Sequence, residues 1–280
     1  MQHLPIGVFD SGVGGLSVLR ALLAQLPHED FVYLADTAWA PYGERSKSEV
    51  EQRSLQVVRY LIDTHHIKAL VVACNTATAQ AVELLRATWP HLPLVAIEPA
   101  LKPATQATRT GQIGIMATQG TIGSDKFKQL VAKWQGERTV RIQACNGLAL
   151  AIENALDGKA NPDGETVESL CRRYTDLLRP FANQEDADGI DTLVLGCTHY
   201  PFASDVLQAI VGSAVQLVEP GVPVARQTYR LLQEKNLLRP EKEDAPRGQL
   251  TLLATAAHQR LTMAAHKWLG LDVIAKSVPI

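Results

Sequence analysis

The chain has 280 residues, of which 46% are hydrophobic, enough for one large domain or two of ordinary size around buried cores. Its formal net charge is −2, from 27 basic and 29 acidic residues, and no block of Lys and Arg is interleaved with aromatic residues. We therefore expect no nucleic acid and no membrane surface among its partners. No apolar stretch reaches the roughly 20 residues of a membrane helix, and no charged-then-apolar leader precedes the first strand-like run, so a cytoplasmic protein is expected.

Short apolar runs alternate along the chain with longer segments of helical periodicity. The predicted strands are 6–9, 31–35, 69–73, 94–97, 113–117, 140–144, 192–195 and 215–218. The predicted helices are 16–26, 48–65, 78–89, 126–134, 166–178 and 223–233. This alternation is typical of βαβ units and predicts the α/β class, with mainly parallel sheets flanked by helices.

A weak internal repeat divides the chain into two halves. Residues 6–12 (IGVFDSG) resemble residues 113–120 (IGIMATQG), and residues 70–76 (LVVACNT) resemble residues 193–199 (LVLGCTH). The landmarks occur in the same order in both halves. The repeat predicts two pseudo-symmetric α/β domains, and a cleft between such domains is a common place for a ligand.

Two of the four cysteines, Cys74 and Cys197, each follow an apolar run long enough for a buried strand that ends in a small residue. Parallel strands deliver their carboxyl ends to the ligand crevice of an open α/β sheet, so two matched thiols predict two thiols facing one substrate. The alternative for an isolated cysteine is a buried structural role, which we expect for Cys145 and Cys171. The four spacings match no zinc or iron–sulfur pattern, and free thiols are typical of a reducing compartment.

Polar residues stand beside both thiols or at an equivalent strand end. Asp10 opens a glycine-rich turn that fits neither a dinucleotide fingerprint nor a P-loop, so its carboxylate is suited to bind an ammonium group or to orient a base. His199 lies two residues after Cys197, and on extended backbone both side chains would share one face. The alternatives are a plain turn at Asp10 and a histidine that only bonds the backbone. Pro41-Tyr42-Gly43 predicts a turn.

Three kinds of chemistry use such thiols. A cysteine–histidine pair is typical of a hydrolase nucleophile, but this leaves the second cysteine without a role. A disulfide redox pair more often shows Cys-x-x-Cys. Two acid/base thiols on opposite faces of one carbon use both, because one removes a proton and the other returns one with inversion. The resulting carbanion needs preorganised donors in a water-poor site.

Six motifs in order resemble those of bacterial glutamate racemases: residues 7–16 (GVFDSGVGGL), 41–43 (PYG), 73–77 (ACNTA), 97–99 (IEP), 117–121 (ATQGT) and 195–201 (LGCTHYP). The resemblance extends from the first strand to about residue 220. It implies a cofactor-independent enzyme, with no metal, that interconverts L- and D-glutamate and supplies D-glutamate for peptidoglycan. It also implies that Cys74 takes the proton from D-glutamate and Cys197 from L-glutamate, with Asp10 assisting the first thiol and His199 the second.

The resemblance further assigns residues to the substrate's polar groups. They are Asp10, Ser11, Tyr42, Gly43, Asn75, Thr76, Thr118, Thr121, Thr198 and His199. Glu153 aligns with a further family carboxylate near the second cysteine. The implied domains are residues 1–97 plus 207–280, and residues 98–206, with the active site in the interdomain cleft. Family members are often dimers, so a homodimer is an expectation.

Three alternatives to glutamate racemisation remain at this stage. A racemase of the same superfamily could act on aspartate or a related acid, because pocket depth is not visible in the sequence. A binding or regulatory protein could use the two thiols as a redox switch, which would form a disulfide on mild oxidation and lack turnover. A pyridoxal-phosphate racemase is disfavoured, since no lysine stands at a recognisable Schiff-base position.

Overall fold

The structure is a computed structural model that describes residues 2–159, 161, 163–183, 188–240 and 246–280. The chain divides into two compact units. Unit 1 comprises Met1–Ile97 and Gly221–Ile280, and unit 2 comprises Glu98–Pro220. Each unit carries its own parallel sheet.

The elements of the described chain alternate between strands and helices. The strands are β1 (Ile6–Asp10), β2 (Phe31–Ala35), β3 (Ala69–Val72), β4 (Leu94–Ala96), β5 (Gln112–Ala117), β6 (Thr139–Ala144), β7 (Thr192–Gly196), β8 (Gln216–Val218), β9 (Leu250–Ala254) and β10 (Lys276–Ser277). The α-helices are α1 (Leu16–Gln25), α2 (Lys47–His65), α3 (Asn75–Thr88), α4 (Leu101–Ala107), α5 (Gln119–Ile122), α6 (Asp125–Trp134), α7 (Leu148–Leu156), α8 (Val167–Asp176), α9 (Ser204–Val211), α10 (Gly221–Glu234) and α11 (His258–Leu269). Short 3₁₀ helices span Tyr42–Glu44 and Tyr200–Ala203.

The sheet of unit 1 has six strands in the order β10-β9-β2-β1-β3-β4, and its described strand pairs are all parallel. Its central strands are buried along their whole length and, apart from Asp10 at the end of β1, apolar, as expected for a sheet covered on both faces. Phe9 and Val72 of this sheet pack with Val57 of α2 and Leu85 of α3 in one buried cluster. This packing holds the carboxyl ends of β1 and β3 side by side.

The sheet of unit 2 has four strands in the order β6-β5-β7-β8, again all parallel. This order repeats the order β2-β1-β3-β4 of unit 1. The first strand of each half lies between the second and the third, and each predicted thiol follows the third. The predicted α/β class with mainly parallel, helix-flanked sheets is confirmed, and the sequence repeat corresponds to this shared strand order.

The second predicted domain boundary needs correction. The expected return to the first domain at residue 207 is wrong, because unit 2 continues to Pro220. Residues 207–220 complete α9 and add β8, which pairs with β7 through Thr192↔Gln216 and Val194↔Val218. The hydrogen bonds of this pairing keep the segment in unit 2. The other boundary lies between Ile97 and Glu98.

Helix α2 shows how the local sequence sets an element's bounds. Ser46 forms a capping box with Glu49, in which each side chain accepts a hydrogen bond from the other residue's backbone N–H. The helix ends at His65, and its C-cap His66 has a φ of 49°, in the left-handed region. Its buried face carries residues spaced three or four apart, namely Val50, Arg53, Ser54, Val57, Val58 and Leu61. Among the described residues, no helix combines the length and apolar character needed to cross a membrane.

Candidate active site

Two groups of predicted residues form around the two thiols, one in each unit. The Cys74 site comprises Asp10, Ser11, Tyr42, Gly43, Cys74, Asn75 and Thr76 of unit 1. The Cys197 site comprises Thr118, Thr121, Glu153, Cys197, Thr198 and His199 of unit 2. In both sites the thiol lies near the carboxyl end of a parallel strand whose neighbour carries further site residues at the same edge of the sheet.

In the Cys74 site, a chain of hydrogen bonds joins the thiol to a buried carboxylate. The Ser11 hydroxyl donates to Asp10 Oδ1 at 3.2 Å and lies 3.4 Å from Cys74 Sγ. The backbone N–H of Ser11 donates to the same Asp10 oxygen at 2.6 Å. Asp10 is fully buried and Cys74 is buried. Because the hydroxyl donates to Asp10, it can accept from the Cys74 thiol, which aligns a path for a proton.

The start of α3 places positive dipole ends at the same thiol. Cys74 is the N-cap of this helix, and its Sγ accepts a hydrogen bond from the backbone N–H of Ala77 at 3.4 Å. An N-cap side chain satisfies one of the N–H groups that have no partner within the helix. The helix N-terminus favours negative charge, so this position stabilises a thiolate relative to a thiol.

The glycine-rich turn after β1 is shaped around Asp10. A Cβ on Gly15 would lie 2.7 Å from Asp10 Oδ2 and 2.8 Å from the Tyr33 hydroxyl oxygen, closer than real Cβ contacts come. The Tyr33 hydroxyl in turn donates to the carbonyl of Gly12 at 2.8 Å. The absence of a side chain at Gly15 therefore lets the turn close over the carboxylate.

Tyr42 and Gly43 open the 3₁₀ turn Tyr42–Glu44. The Tyr42 hydroxyl donates to Asp36 Oδ2 at 2.6 Å, and its ring packs edge-on against Phe9 in the cluster that also contains Cys74. Burial, together with the negative charge of Asp36, raises the pKa of Tyr42 far above its usual range. Tyr42 is therefore a neutral side chain fixed by a carboxylate that the sequence analysis did not single out.

The first two residues of α3 complete the Cys74 site. Asn75 and Thr76 are both buried. Within the described part of the chain, neither the amide nitrogen nor the amide oxygen of the Asn75 side chain has a hydrogen-bond partner. A buried polar group without a partner carries a desolvation penalty of about 1–3 kcal/mol, and a ligand that binds it removes the penalty. Asn75 is therefore a strong candidate for contact with a polar substrate.

In the Cys197 site, β5 and β7 are neighbours with Ala117 opposite Gly196, so the residues after them share one edge. Thr118 follows β5 and caps the short helix α5, and its hydroxyl lies 3.0 Å from the hydroxyl of Thr121. Thr198 follows Cys197 directly and is buried. Thr118 and Thr198 therefore lie at the ends of neighbouring strands, and Thr121 of α5 joins them through its hydroxyl contact with Thr118.

The thiol of Cys197 is linked to an imidazole and a carboxylate. Cys197 Sγ lies 3.7 Å from His199 Nδ1, and His199 Nε2 lies 2.7 Å from Glu153 Oε1. Glu153 is a buried residue of α7. The expected extended backbone at residues 197–199 is wrong, because His199 has helical dihedral angles (φ −77°, ψ −33°) in a turn. The turn, rather than a shared strand face, brings the ring to the sulfur.

The charge state of His199 follows from these partners. Burial of the imidazole opposes its protonation, but the hydrogen bonds with Cys197 and Glu153 and the negative charge of Glu153 outweigh burial and raise the pKa of His199 well above its usual value. These contacts favour the imidazolium form of His199. With its Nδ1 atom 3.7 Å from the sulfur, His199 is placed to assist proton transfer at Cys197.

Comparison with known proteins decides the family of this chain. Residues 6–228 match the Asp/Glu/Hydantoin racemase family. The chain belongs to this racemase family. It is 43% identical to a glutamate racemase of Cupriavidus pinatubonensis over 99% of this chain and 95% of that protein.

Two solved structures resemble this racemase over essentially their whole length. Glutamate racemase isoform RacE1 from Bacillus anthracis has 31% sequence identity and a TM-score of 0.84, covering 100% of both chains. Glutamate racemase from Francisella tularensis, in complex with D-glutamate, has 27% identity and a TM-score of 0.79, covering 99% of this chain and 98% of that chain. The fold and the family therefore agree with the resemblance carried by the sequence motifs.

The other two cysteines of this racemase sit in its core. Burial raises the pKa of Cys171 to about 12, and that of Cys145 further. Both are therefore neutral thiols at physiological pH. Among the described residues, no group of three or more His, Cys, Asp and Glu side chains is arranged to hold a metal ion.

Proposed function

We propose that this member of the racemase family is a glutamate racemase that works with two thiols, Cys74 and Cys197. The observation that carries the proposal is the matched placement of the two thiols at the ends of β3 and β7, in a chain 43% identical to a glutamate racemase over 99% of its length. A stereocentre can be inverted by removing a proton from one face and returning one to the other. Two acid/base groups are the minimum for that reaction.

The proposed reaction is a balanced exchange of protons. With D-glutamate, the Cys74 thiolate takes the α-proton and becomes a thiol, while the Cys197 thiol gives its proton to the opposite face and becomes a thiolate. With L-glutamate the two roles are exchanged. After either turnover the protein holds the same total number of protons, located on the other thiol.

The two sites supply different help to their thiols. Asp10 acts on Cys74 through the hydroxyl of Ser11, and the start of α3 stabilises the thiolate form. His199 acts on Cys197 directly, and Glu153 holds the imidazole in place and favours its protonated form. General acid–base groups of this kind contribute about 10²–10⁴-fold each.

The hard step is forming a carbanion beside a carboxylate. Hydrogen-bond donors fixed before the substrate arrives stabilise the developing charge without reorganising during the reaction. The proposed donors and acceptors for the substrate's polar groups are Asp10, Ser11, Tyr42, Gly43, Asn75, Thr76, Thr118, Thr121, Thr198 and His199. Asn75 has the strongest local support, because its buried amide atoms lack partners within the described residues.

The decisive experiment follows exchange at the α-carbon. The purified protein is incubated in D₂O with L-glutamate and no added cofactor, and the α-proton signal and the optical rotation are recorded together. Deuterium incorporation with loss of optical rotation supports the proposal. Exchange with aspartate but not with glutamate would keep the mechanism and change the substrate, whereas no exchange with either would favour a thiol switch or a binding protein.

The cellular role is part of the same proposal. In the cytoplasm, D-glutamate made by this enzyme would supply peptidoglycan synthesis. Expression of the protein should therefore restore growth to a bacterial strain that requires external D-glutamate. We also propose that the protein acts as a homodimer, as bacterial glutamate racemases often do. Light scattering on the purified protein tests this by its mass.

A further inference from the structure

Resting on the proposed function, we propose that Arg53 is a positioning residue that fixes the segment 39–43, so that Tyr42 and Gly43 meet the substrate in one conformation. Arg53 belongs to α2 and is buried, and none of the roles proposed above involves it. A buried guanidinium requires partners for its charge and its donors. Its partners show what it does.

The first partner is the carboxylate of Asp36, which follows β2. Arg53 donates through Nε to Asp36 Oδ2 at 2.8 Å and through Nη2 to Asp36 Oδ1 at 2.7 Å, the two-pronged geometry that only arginine provides. Asp36 also accepts from Tyr42 at 2.6 Å and from Thr255 at 2.8 Å. Arg53 therefore fixes the acceptor that fixes the Tyr42 hydroxyl.

The second partner is the ring of Trp39. The guanidinium carbon of Arg53 lies 5.4 Å from the centre of this ring, and that of Arg45 lies 5.3 Å from it. Arg45 also donates through Nε to the Trp39 carbonyl at 3.2 Å. Cation–π contacts at this range hold an aromatic side chain against a charged group. Arg53 thus contacts Trp39, the first residue of the segment 39–43, and Asp36, which lies just before the segment.

The remaining donors of Arg53 anchor the guanidinium itself. Its Nη1 donates to Gln56 Oε1 at 3.0 Å, and its Nη2 donates to the carbonyl of Ile280 at 2.9 Å. With every nitrogen engaged, the guanidinium is held in one orientation on a long, well-capped helix. The segment 39–43 belongs to no strand or α-helix, so its conformation depends on these contacts rather than on a backbone ladder.

The test separates positioning from stability by comparing lysine and arginine at this site. Arg53→Lys keeps the charge but loses the two-pronged bond and the flat contact with Trp39. We expect KM for glutamate to rise about tenfold, the effect of about one misaligned contact, with kcat within about twofold of wild type. The matched control is Arg59→Lys, an exposed arginine of the same helix, which should leave both constants unchanged.

A second pair of variants tests the Trp39 contact without disturbing the buried charge. Trp39→Leu removes the ring and should raise KM, whereas Trp39→Phe retains a ring for Arg53 and should restore most of the wild-type value. A KM that stays at the wild-type value in both Arg53→Lys and Trp39→Leu overturns the inference, and so does a loss of thermal stability and kcat with KM unchanged. A wild-type protein without glutamate turnover would instead overturn the proposed function and this inference with it.

Discussion

The Cys74 site and the Cys197 site are built on the same strand order but surround their thiols with different chemistry. In unit 1, β2 is followed by Asp36. In unit 2, the corresponding strand β6 is followed by Cys145. Unit 2 therefore has no carboxylate at that strand end, and the carboxylate near its thiol, Glu153, comes from a helix. The duplicated scaffold places the thiols, while the surrounding residues determine how each one handles a proton.

The largest expected effect comes from removing either thiol. Cys74→Ser and Cys197→Ser should each lower racemisation by about 10³-fold or more, because a serine hydroxyl is a far weaker acid and both faces are needed. Polarimetry with L- and D-glutamate measures the loss. Cys171→Ala serves as the control, since that thiol is buried in the core of unit 2 and outside both sites. Activity near the wild-type level in either serine variant would refute the two-thiol mechanism.

The next effect is confined to the Cys197 site. Glu153→Gln keeps the shape of the side chain but removes the charge that raises the pKa of His199. We expect kcat to fall by about 10²-fold and the pH limb that reports His199 to move to lower pH, because the imidazolium loses its partner. Full pH–rate profiles in both directions measure this, with the exposed Glu168→Gln as control. An unmoved limb would show that Glu153 does not control His199.

The sequence predicted the eight strands β1–β8 to within about two residues at each end, because short buried runs with turn residues around them are a strong signal. The strand β9 was not predicted. Its five residues read equally as a short helical piece, and its place beside β2 depends on pairing with a segment more than two hundred residues earlier. Helix α7 was also missed, since Gly147 precedes it without a side-chain cap.

The candidate site was predicted best where its residues follow strands. Cys74, Cys197 and Asp10 could be found by that rule alone, and applying the same rule to β2 would have pointed to Asp36. Arg53 carries no local signal, because its partner lies on another element and only folding brings the two together. The contact between His199 and Glu153 likewise depends on how α7 packs, which periodicity does not reveal.

A smaller effect distinguishes the Cys74 site. Ser11→Ala removes the hydroxyl that links Asp10 to Cys74, and we expect kcat/KM to fall about tenfold. The fall in kcat/KM must be equal in both directions, because the equilibrium constant between the two enantiomers is fixed. The separate kcat and KM values can differ between directions. Ser11→Thr, which retains a hydroxyl, is the control.

A double variant sharpens this prediction. If Asp10 acts through Ser11, the Asp10→Asn, Ser11→Ala double variant should lose no more activity than Asp10→Asn alone, since both changes break one chain of hydrogen bonds. Additive losses would mean that Asp10 acts on the substrate or on the thiol by another route. The measurement is steady-state racemisation of the four proteins under one set of conditions.

The smallest expected effect is on stability, and it separates the two sites by pH. The pKa of His199 is higher in the folded protein than in the unfolded chain, so protonation of His199 stabilises the fold. This contribution is complete below pH 6.5 and is lost as the pH rises through the folded-state pKa.

The Tm should therefore decline on the alkaline side more in the wild type than in His199→Gln, by on the order of a few degrees. Differential scanning calorimetry between pH 6 and pH 9 measures the difference, and parallel Tm curves for the two proteins would show that the imidazolium adds nothing to folding. Ser11→Ala should retain the wild-type slope, because the Cys74 site contains no histidine.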